Sequence, residues 1–385
     1  MKNRKKIVEI ILLLLIVAAG IGLIRNFAGM EVRYERFHME GISYEKAVVT
    51  SVVTEDLERY AADDEHKTGS QLLRIRFLEG KEKGKEVEIE NDISITHNVV
   101  LKTGDRLVVC ADRPEGVEPY YSVYNYDRST GIWIAAFGFL ALIVLIGKKQ
   151  GIRSCLGLIF TVIMVVCYLL PSLYQGKSAA LSAIITVGVS SAVTCFCLGG
   201  LERKTAYNIL NSTLGGASAG IVYSILARVL HVGGNSMEET ESLALIAQDT
   251  GMRLNGILFA AIMVAALGAV MDVSVSLCAA LNEIQVLNPA ISRKELFQSG
   301  MNIGRDMIGT MTNTLILAFA GGALATLLVF ISYGVQYNQL ISSNFFATEV
   351  VQGIAGTSAV ILTVPITAGI CALGYRKNKR DRRKK

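Results

Sequence analysis

From residue 132 to residue 375 the chain is a succession of apolar blocks cut by short charged loops. A backbone inside a bilayer has no water to bond, so crossing segments must satisfy their own hydrogen bonds, as helices or closed barrels. A hydrocarbon core about 30 Å thick needs about 20 apolar residues in helical form. Eight segments are read as spans: Ile7–Ile24, Ile132–Gly147, Cys155–Leu170, Ala179–Leu198, Leu210–Leu230, Ile257–Leu281, Met307–Ile331 and Glu349–Leu373. The second and third are short and lean on their flanks. The fifth is the least apolar, because it carries Asn211, Ser212, Gly215, Gly216 and Gly220.

Basic residues orient these spans, since Lys and Arg accumulate in loops on the cytoplasmic side. Lys2, Arg4, Lys5 and Lys6 precede the first span, and Lys148, Lys149 and Arg153 follow the second. Arg203 and Lys204 follow the fourth, Arg293, Lys294 and Arg305 the sixth, and a basic tail from Arg376 to Lys385 the eighth. Of the alternate loops after the outer region, one holds Lys177 and another Arg253, with no Lys or Arg between Ser332 and Thr348. With eight spans, every basic cluster falls on one side. Both termini are then cytoplasmic, and residues 31–128 are extracytoplasmic. Four regions result: residues 1–30 as N-terminus and anchor helix, 31–128 as an outer domain, 129–375 as a seven-helix membrane domain, and 376–385 as the tail. The first segment reads as an uncleaved anchor, with Glu9 near its wet inner end. The alternative is a cleaved signal peptide ending near Val17-Ala18-Ala19-Gly20. The tail explains much of the net charge of +5, which marks topology and contact with lipid rather than nucleic acid.

The outer region alternates with period two, as half-buried strands do. Leu73, Ile75 and Phe77 lie opposite Arg74 and Arg76, and Val87 and Ile89 opposite Glu86, Glu88 and Glu90. Further strands fit Ala47–Val53, Arg106–Cys110 and Tyr120–Tyr126, with turns at Glu79-Gly80, Lys83-Gly84, Thr103-Gly104-Asp105 and Pro114-Glu115-Gly116. These predict a small β-barrel or sandwich, OB-like in strand count. Asp63-Asp64-Glu65-His66 reads as a solvated loop, and the tyrosines of 120–126 as an interfacial aromatic belt. Capping-box patterns at Ser236-Met237-Glu238-Glu239 and Ser292-Arg293-Lys294-Glu295 predict two short helices. One is amphipathic on Leu243, Ile246 and Ala247. The other is a cytoplasmic elbow over Lys294–Gly300, with Leu296 and Phe297 toward the membrane.

Polar residues inside the spans carry the functional signal. Asp272 lies deep in the apolar stretch Gly256–Ala280. An acid at mid-span costs about 3 kcal/mol on insertion scales, so it usually faces a protein interior or a wet cavity. Gly268 and Ser276 lie one turn before and after it, and Glu283 is nearly in phase three turns on. Ile262, Val264, Val273 and Leu277 take the other faces. In the next span Asp306 is followed at helical spacing by Thr310, Asn313 and Thr314. That stripe is the expected partner of Asp272, while Arg305 and Asp306 also read as a surface pair. Gly268, Gly321 and Gly322 are expected packing positions, with Gly321–Gly322 permitting close helix approach. The last span adds Gly353, Gly356, Thr357, Ser358, Thr363, Thr367 and a bend at Pro365. A structural role for the hydroxyls and amides, worth about 0.6–2 kcal/mol each, competes with a functional one.

The cysteines make no framework. Cys110 alone lies in the outer region; Cys155, Cys167, Cys195, Cys197, Cys278 and Cys371 fall in apolar segments and read as small hydrophobes. The Cys195–Cys197 pair has no histidine near it in sequence. His38, His66, His97 and His231 are scattered, so no metal site is expected and no cofactor is assigned. No nucleophile–base set or phosphate loop suggests an enzyme.

The block Leu267-Gly268-Ala269-Val270-Met271-Asp272-Val273-Ser274-Val275-Ser276, then Asn288-Pro289, then Ser299 through Leu315, resembles the YibE/F-like family of bacterial integral membrane proteins. The resemblance spans roughly residues 130–375, and an outer β-domain after one anchor helix is similar to its YibE-type members. It implies the architecture and no activity. The order of the motifs (Gly268 with Asp272, Thr310–Leu315, then Gly356–Ser358) is also similar to SecD/SecF and RND permease cores, where intramembrane acids couple proton flow to movement of an outer domain. Eight spans and a different outer domain depart from that pattern. Two functions are thus expected. One is a permease or export-assisting transporter, proton-coupled through Asp272, with Ser276, Thr310, Asn313, Thr314 and Asp306 along its path. The other is a non-transporting scaffold or sensor whose outer domain binds an envelope component or a partner protein. The expected partners are the lipid bilayer and a homo- or hetero-oligomer through the glycine-rich helices.

Overall fold

The computed structural model describes residues 22, 41–59, 66–114, 116–200, 203–237 and 239–374. Nearly all of the expected anchor Ile7–Ile24, the run Asp63-Asp64-Glu65 and the basic tail lie outside the described residues. The chain divides into two compact units between Leu142 and Ile143.

The outer unit is a five-stranded antiparallel sheet of β1 (Ile42–Arg59), β2 (Lys67–Phe77), β3 (Glu86–Ile93), β4 (Arg106–Asp112) and β5 (Tyr120–Tyr126), in the order β3-β2-β1-β4-β5. Period-two alternation places Ala47, Val49, Leu73, Ile75, Phe77, Leu107 and Val109 on the buried face. On the other face Arg74 and Glu88, paired in the β2–β3 register, form an ion pair at 2.7 Å. β1 is long enough to pair with β4 through its first half and β2 through its second, and Ala47 pairs on both sides. Two register shifts in β1, between Val49 and Ser51 and between Val52 and Thr54, curl the sheet. The edges β3 and β5 approach each other without pairing, so the sheet is a half-barrel.

The segment between β3 and β4 has no strand partner, and buried amides take its place. Gln71 donates to the Leu101 carbonyl and accepts from the Leu101 amide, both at 3.0 Å. Asn91 donates to the Val99 carbonyl at 2.8 Å and to Gln71 Oε1 at 3.2 Å. Both side chains are fully buried, and the ladder pairs the Gln71 amide group and Asn91 Nδ2, leaving Asn91 Oδ1 without a partner among the described residues.

The second unit is helical. Its elements are α1 (Ser129–Met164) from Ile143 on, a π-helical turn at Val165–Leu169, α2 (Leu170–Tyr174), α3 (Ala179–Gly199), α4 (Arg203–Val229), α5 (Thr240–Thr250), α6 (Leu254–Leu287), α7 (Arg293–Gly322), α8 (Leu324–Ser332), α9 (Tyr337–Ile341) and α10 (Asn344–Gly374). Among the described residues five helices are long and apolar enough to cross a membrane, or six with α7 and α8 taken together. The least apolar expected span forms as α4 and packs centrally against α6 and α10.

Three local expectations are refined or corrected. The segments Ile132–Gly147 and Cys155–Leu170 form as two helices within the run Ser129–Tyr174, separated not by a loop but by a break at Lys148, with φ 48° and ψ −129°. A Cβ on Gly151 would lie 2.2 Å from the Ile143 carbonyl oxygen, whereas residues eight apart on a straight helix are separated by about 12 Å. The chain therefore folds back at Lys148. Second, the elbow over Lys294–Gly300 is not a separate element but the opening of α7. Its capping box forms as expected: Ser292 Oγ accepts from the Glu295 amide, and Glu295 Oε2 from the Ser292 amide at 2.8 Å. Leu296 is buried and Phe297 exposed. Third, α5 does not start on a Ser236 cap. Ser236 ends a 3₁₀ turn and accepts from the Gly233 amide, and the helix begins at Thr240. Leu243, Ile246 and Ala247 are half-buried, as an amphipathic helix requires.

α6 runs through the bundle core, packed by α3 and α4 on one side and α7 and α10 on the other. Glycines permit the close approaches. A Cβ on Gly304 would lie 2.2 Å from Val364 Cγ1, and one on Gly215 would lie 2.3 Å from Thr363 Oγ1. Pro365 is accommodated within α10, which runs through it as one helix.

Candidate functional site

Asp272 sits near the middle of α6, a helix of 34 residues. Val270, Val273, Leu277 and Leu281 turn into the core. The helical period therefore sends Asp272, with Gly268, Ser276 and Glu283, to the exposed face. Ile262 is buried and Val264 half-buried, so the apolar and acidic faces divide as the spacing predicts. No hydrogen bond or ion pair joins the Asp272 carboxylate to another described residue.

Asp306, Thr310, Asn313 and Thr314 are likewise exposed on α7. Their hydroxyls turn back on their own helix: Thr310 donates to the Met307 carbonyl at 3.1 Å and Thr314 to that of Thr310 at 2.9 Å. The expected bond between Asp272 and this stripe is not formed. Arg305 bonds Asn302 Oδ1 at 3.1 Å rather than pairing with Asp306. α7 ends at Gly321–Gly322, and the chain bends by 54° into α8. Gly322 lines a cavity of about 440 Å³ together with Glu239, Thr326, Thr348, Glu349 and Gln352.

The glycines expected to pack helices, Gly268, Gly321 and Gly322, have nothing within 4 Å of a built Cβ. Gly300 and Gly304 on α7 and Gly215 and Gly220 on α4 make the close approaches instead. Small residues on a lipid-facing or partner-facing surface and small residues in a helix seam look alike in sequence; only the phase of the core separates them.

A buried polar seam inside the bundle was not singled out from sequence. Ser212 on α4 and Ser274 on α6 share a hydrogen bond of 2.7 Å. Ser190 and Ser191 on α3, Asn208 and Asn211 on α4 and Thr367 on α10 are buried, and each has at least one polar atom with no partner. Nearby, Cys371 Sγ lies 3.4 Å from Cys278 Sγ. Asn211 and Ser212 were visible only as residues that lower the apolarity of their span. The cysteines stand 93 positions apart, so no spacing motif could mark them.

The outer unit holds its own charged cluster. Arg113 pairs with Glu45 at 2.9 Å and with Glu82 at 3.4 Å, and Tyr121 donates to Glu82. A Cβ on Gly80, whose φ is +85°, would fall 2.1 Å from the Glu45 carboxyl, so this turn admits only glycine. The hydrogen bond to Glu45 raises the Arg113 guanidinium above its ordinary range against the opposing effect of burial. Burial alone would raise Glu82, but hydrogen bonds from Tyr121 and Lys85 and the charge of Lys85 hold it below the usual carboxylate range. Burial and the Glu82 carboxylate push the Tyr121 phenol up to about 12.

Among the described residues no cluster of His, Cys, Asp and Glu could hold a metal ion. No curated protein and no solved structure matches the chain. The model of one protein family, YibE/F-like protein, matches residues 135–377. That stretch holds the apolar helices from α1 to α10, the Asp272 stripe and the buried seam, and the chain belongs to the YibE/F-like family.

Proposed function

We propose that this chain is a permease or export-assisting transporter of the bacterial cell membrane, proton-coupled through Asp272. One observation carries the reading: an acid at the middle of an apolar, membrane-length helix faces outward and has no partner among the described residues. In lipid that face would cost about 3 kcal/mol or more. A wet path beside α6, closed by a second copy or another subunit, removes this penalty. Exposed Gly268, Gly321 and Gly322 leave room for such a neighbour. Ser276 on α6 and Thr310, Asn313, Thr314 and Asp306 on α7 supply polar atoms to the path. The bend at Ala323, with a cavity beside Gly322, supplies a place for α7 and α8 to move. The motif order shared with SecD/SecF and RND cores supports the reading by analogy alone. The basic clusters orient the chain with both termini cytoplasmic and residues 31–128 outside.

The test is proton flux in vesicles holding the purified chain and a trapped pH dye, under an imposed pH gradient. Wild type collapses the gradient faster than empty vesicles. Asp272→Asn does not, and Asp272→Glu keeps part of the flux. Equal flux through wild type and Asp272→Asn would remove the proton role.

One observation favours a second reading, a scaffold or sensor that binds through its outer unit. The order β3-β2-β1-β4-β5, with β3 beside β5, follows the ring of an OB-like barrel, whose strand face binds ligands in other proteins. Loss of function on deleting residues 31–128, with Asp272→Asn silent, would favour it.

A further inference from the structure

Cys278 on α6 and Cys371 on α10 are brought together by the fold. Cys371 Sγ donates to Cys278 Sγ at 3.4 Å, and Cys278 contacts the Lys204 carbonyl at 4.0 Å. Both thiols line a cavity of about 180 Å³, walled also by Lys204, Tyr207, Asn282 and Gln285. The cavity is partly open. Cys371 is half-buried and Cys278 only 3% exposed. Beside Cys371 lies Asn211, fully buried, with neither its Nδ2 nor its Oδ1 in a hydrogen bond of good geometry. A dithiol in van der Waals contact, lining a cavity with polar walls and lying next to a buried unsatisfied amide, is not the environment of two inert core hydrophobes.

We propose that Cys278 and Cys371 form an oxidisable dithiol that closes to a disulfide and staples α6 to α10. A disulfide needs the sulfurs at about 2.05 Å, so the pair closes by an approach of about 1.4 Å shared between two side chains. The co-reactant is a low-molecular-weight disulfide. The Cys371 thiolate attacks one of its sulfurs, giving a mixed disulfide and releasing one small thiol. The Cys278 thiolate then attacks Cys371 Sγ, and the second small thiol leaves. The protein loses two electrons and two protons, and the reagent takes them up as two thiols. Asp272 lies on the same helix less than two turns before Cys278, so closure holds the helix that carries the acid. The dithiol does not depend on the transport reading.

Peptide mapping of the full chain after treatment with oxidised glutathione, without reduction, tests this. A peptide joined through Cys278 and Cys371 should appear and vanish with dithiothreitol. Cys278→Ser should trap Cys371 as its glutathione adduct, and Cys371→Ser should leave Cys278 unmodified on the same timescale. If both thiols stay free in wild type, or the join falls on Cys195 or Cys197 instead, the dithiol assignment is overturned. The wild-type map decides this even if either variant folds poorly.

Discussion

Gly304→Ala places one methyl group in the seam between α7 and α10. Its Cβ would lie 2.2 Å from Val364 Cγ1 and 3.1 Å from both Val364 Cβ and Cγ2. Carbon atoms pack at about 3.5–4.0 Å, so the nearest contact is short by about 1.5 Å. Rotating Val364 does not clear it, because its Cβ is itself too close. The helices must separate, and overpacking of this kind costs about 1–3 kcal/mol. At about 2–4 °C per kcal/mol, the melting midpoint of the detergent-solubilised chain should fall by about 4–8 °C for a loss of 2 kcal/mol. Val364→Ala alone, losing two methyl groups and leaving a small cavity, should cost about 1–2 kcal/mol. In the double variant the new methyl group occupies the space of the removed ones. Its stability should lie within about 1 kcal/mol of Val364→Ala, a coupling of about 1–3 kcal/mol between the sites. Additive losses, or a Gly304→Ala midpoint equal to wild type, would refute the close α7–α10 contact.

Other consequences follow from the geometry. Gln71→Leu orphans the Leu101 amide and carbonyl, at about 1–3 kcal/mol for each buried group, and should speed hydrogen exchange at Leu101 in the full chain; unchanged protection there would show that the amide ladder does not hold the segment. Because folding holds Glu82 below its ordinary value of 4.5, its contribution to stability is complete above that pH and is lost as pH falls through the lower folded value. Melts of Glu82→Gln should therefore lose that acidic step, and an unaltered acid profile would assign the step elsewhere. Tyr121 behaves in the opposite sense: its contribution is present below pH 10 and lost as pH rises toward about 12, and Tyr121→Phe should flatten the alkaline limb. Thr310→Val and Thr314→Val, whose hydroxyls bond only their own helix, should change stability by less than about 0.5 kcal/mol while slowing proton flux; unaltered flux would take them off the path.

The outer sheet was legible because alternation is local. Leu73, Ile75 and Phe77 announce a buried face without knowledge of any neighbour, and all three are buried. The apolar helices were legible for the same reason, down to α4 despite its amides. What resisted reading depends on phase and on contacts across the chain. Asp272, Ser276 and Gly268 were correctly placed on one helix face, but whether that face meets core or exterior depends on which residues α3, α4 and α10 cover. The Asp272–Thr310 pairing failed on this point. The glycine assignment failed likewise, since Gly304 and Gly321 look equivalent in sequence and differ only in having Val364 or nothing opposite. The reversal at Lys148 was legible as a charged pair between two apolar blocks; what composition does not show is that the backbone turns at a single residue of non-helical φ and ψ rather than through a loop. The Cys278–Cys371 contact and the Ser212–Ser274 bond join residues far apart in the chain, and period and composition carry no trace of them.

The most direct measurement is carbodiimide labelling of Asp272 in membranes holding the full chain, read by peptide mapping beside proton flux. If Asp272 sits at mid-membrane on a conducting face, dicyclohexylcarbodiimide, which partitions into lipid, will modify it and stop the flux, and a membrane-impermeant carbodiimide will not reach it. Modification by the impermeant reagent as fast as at the exposed Glu88, or full flux after complete labelling, would contradict that placement and the role built on it.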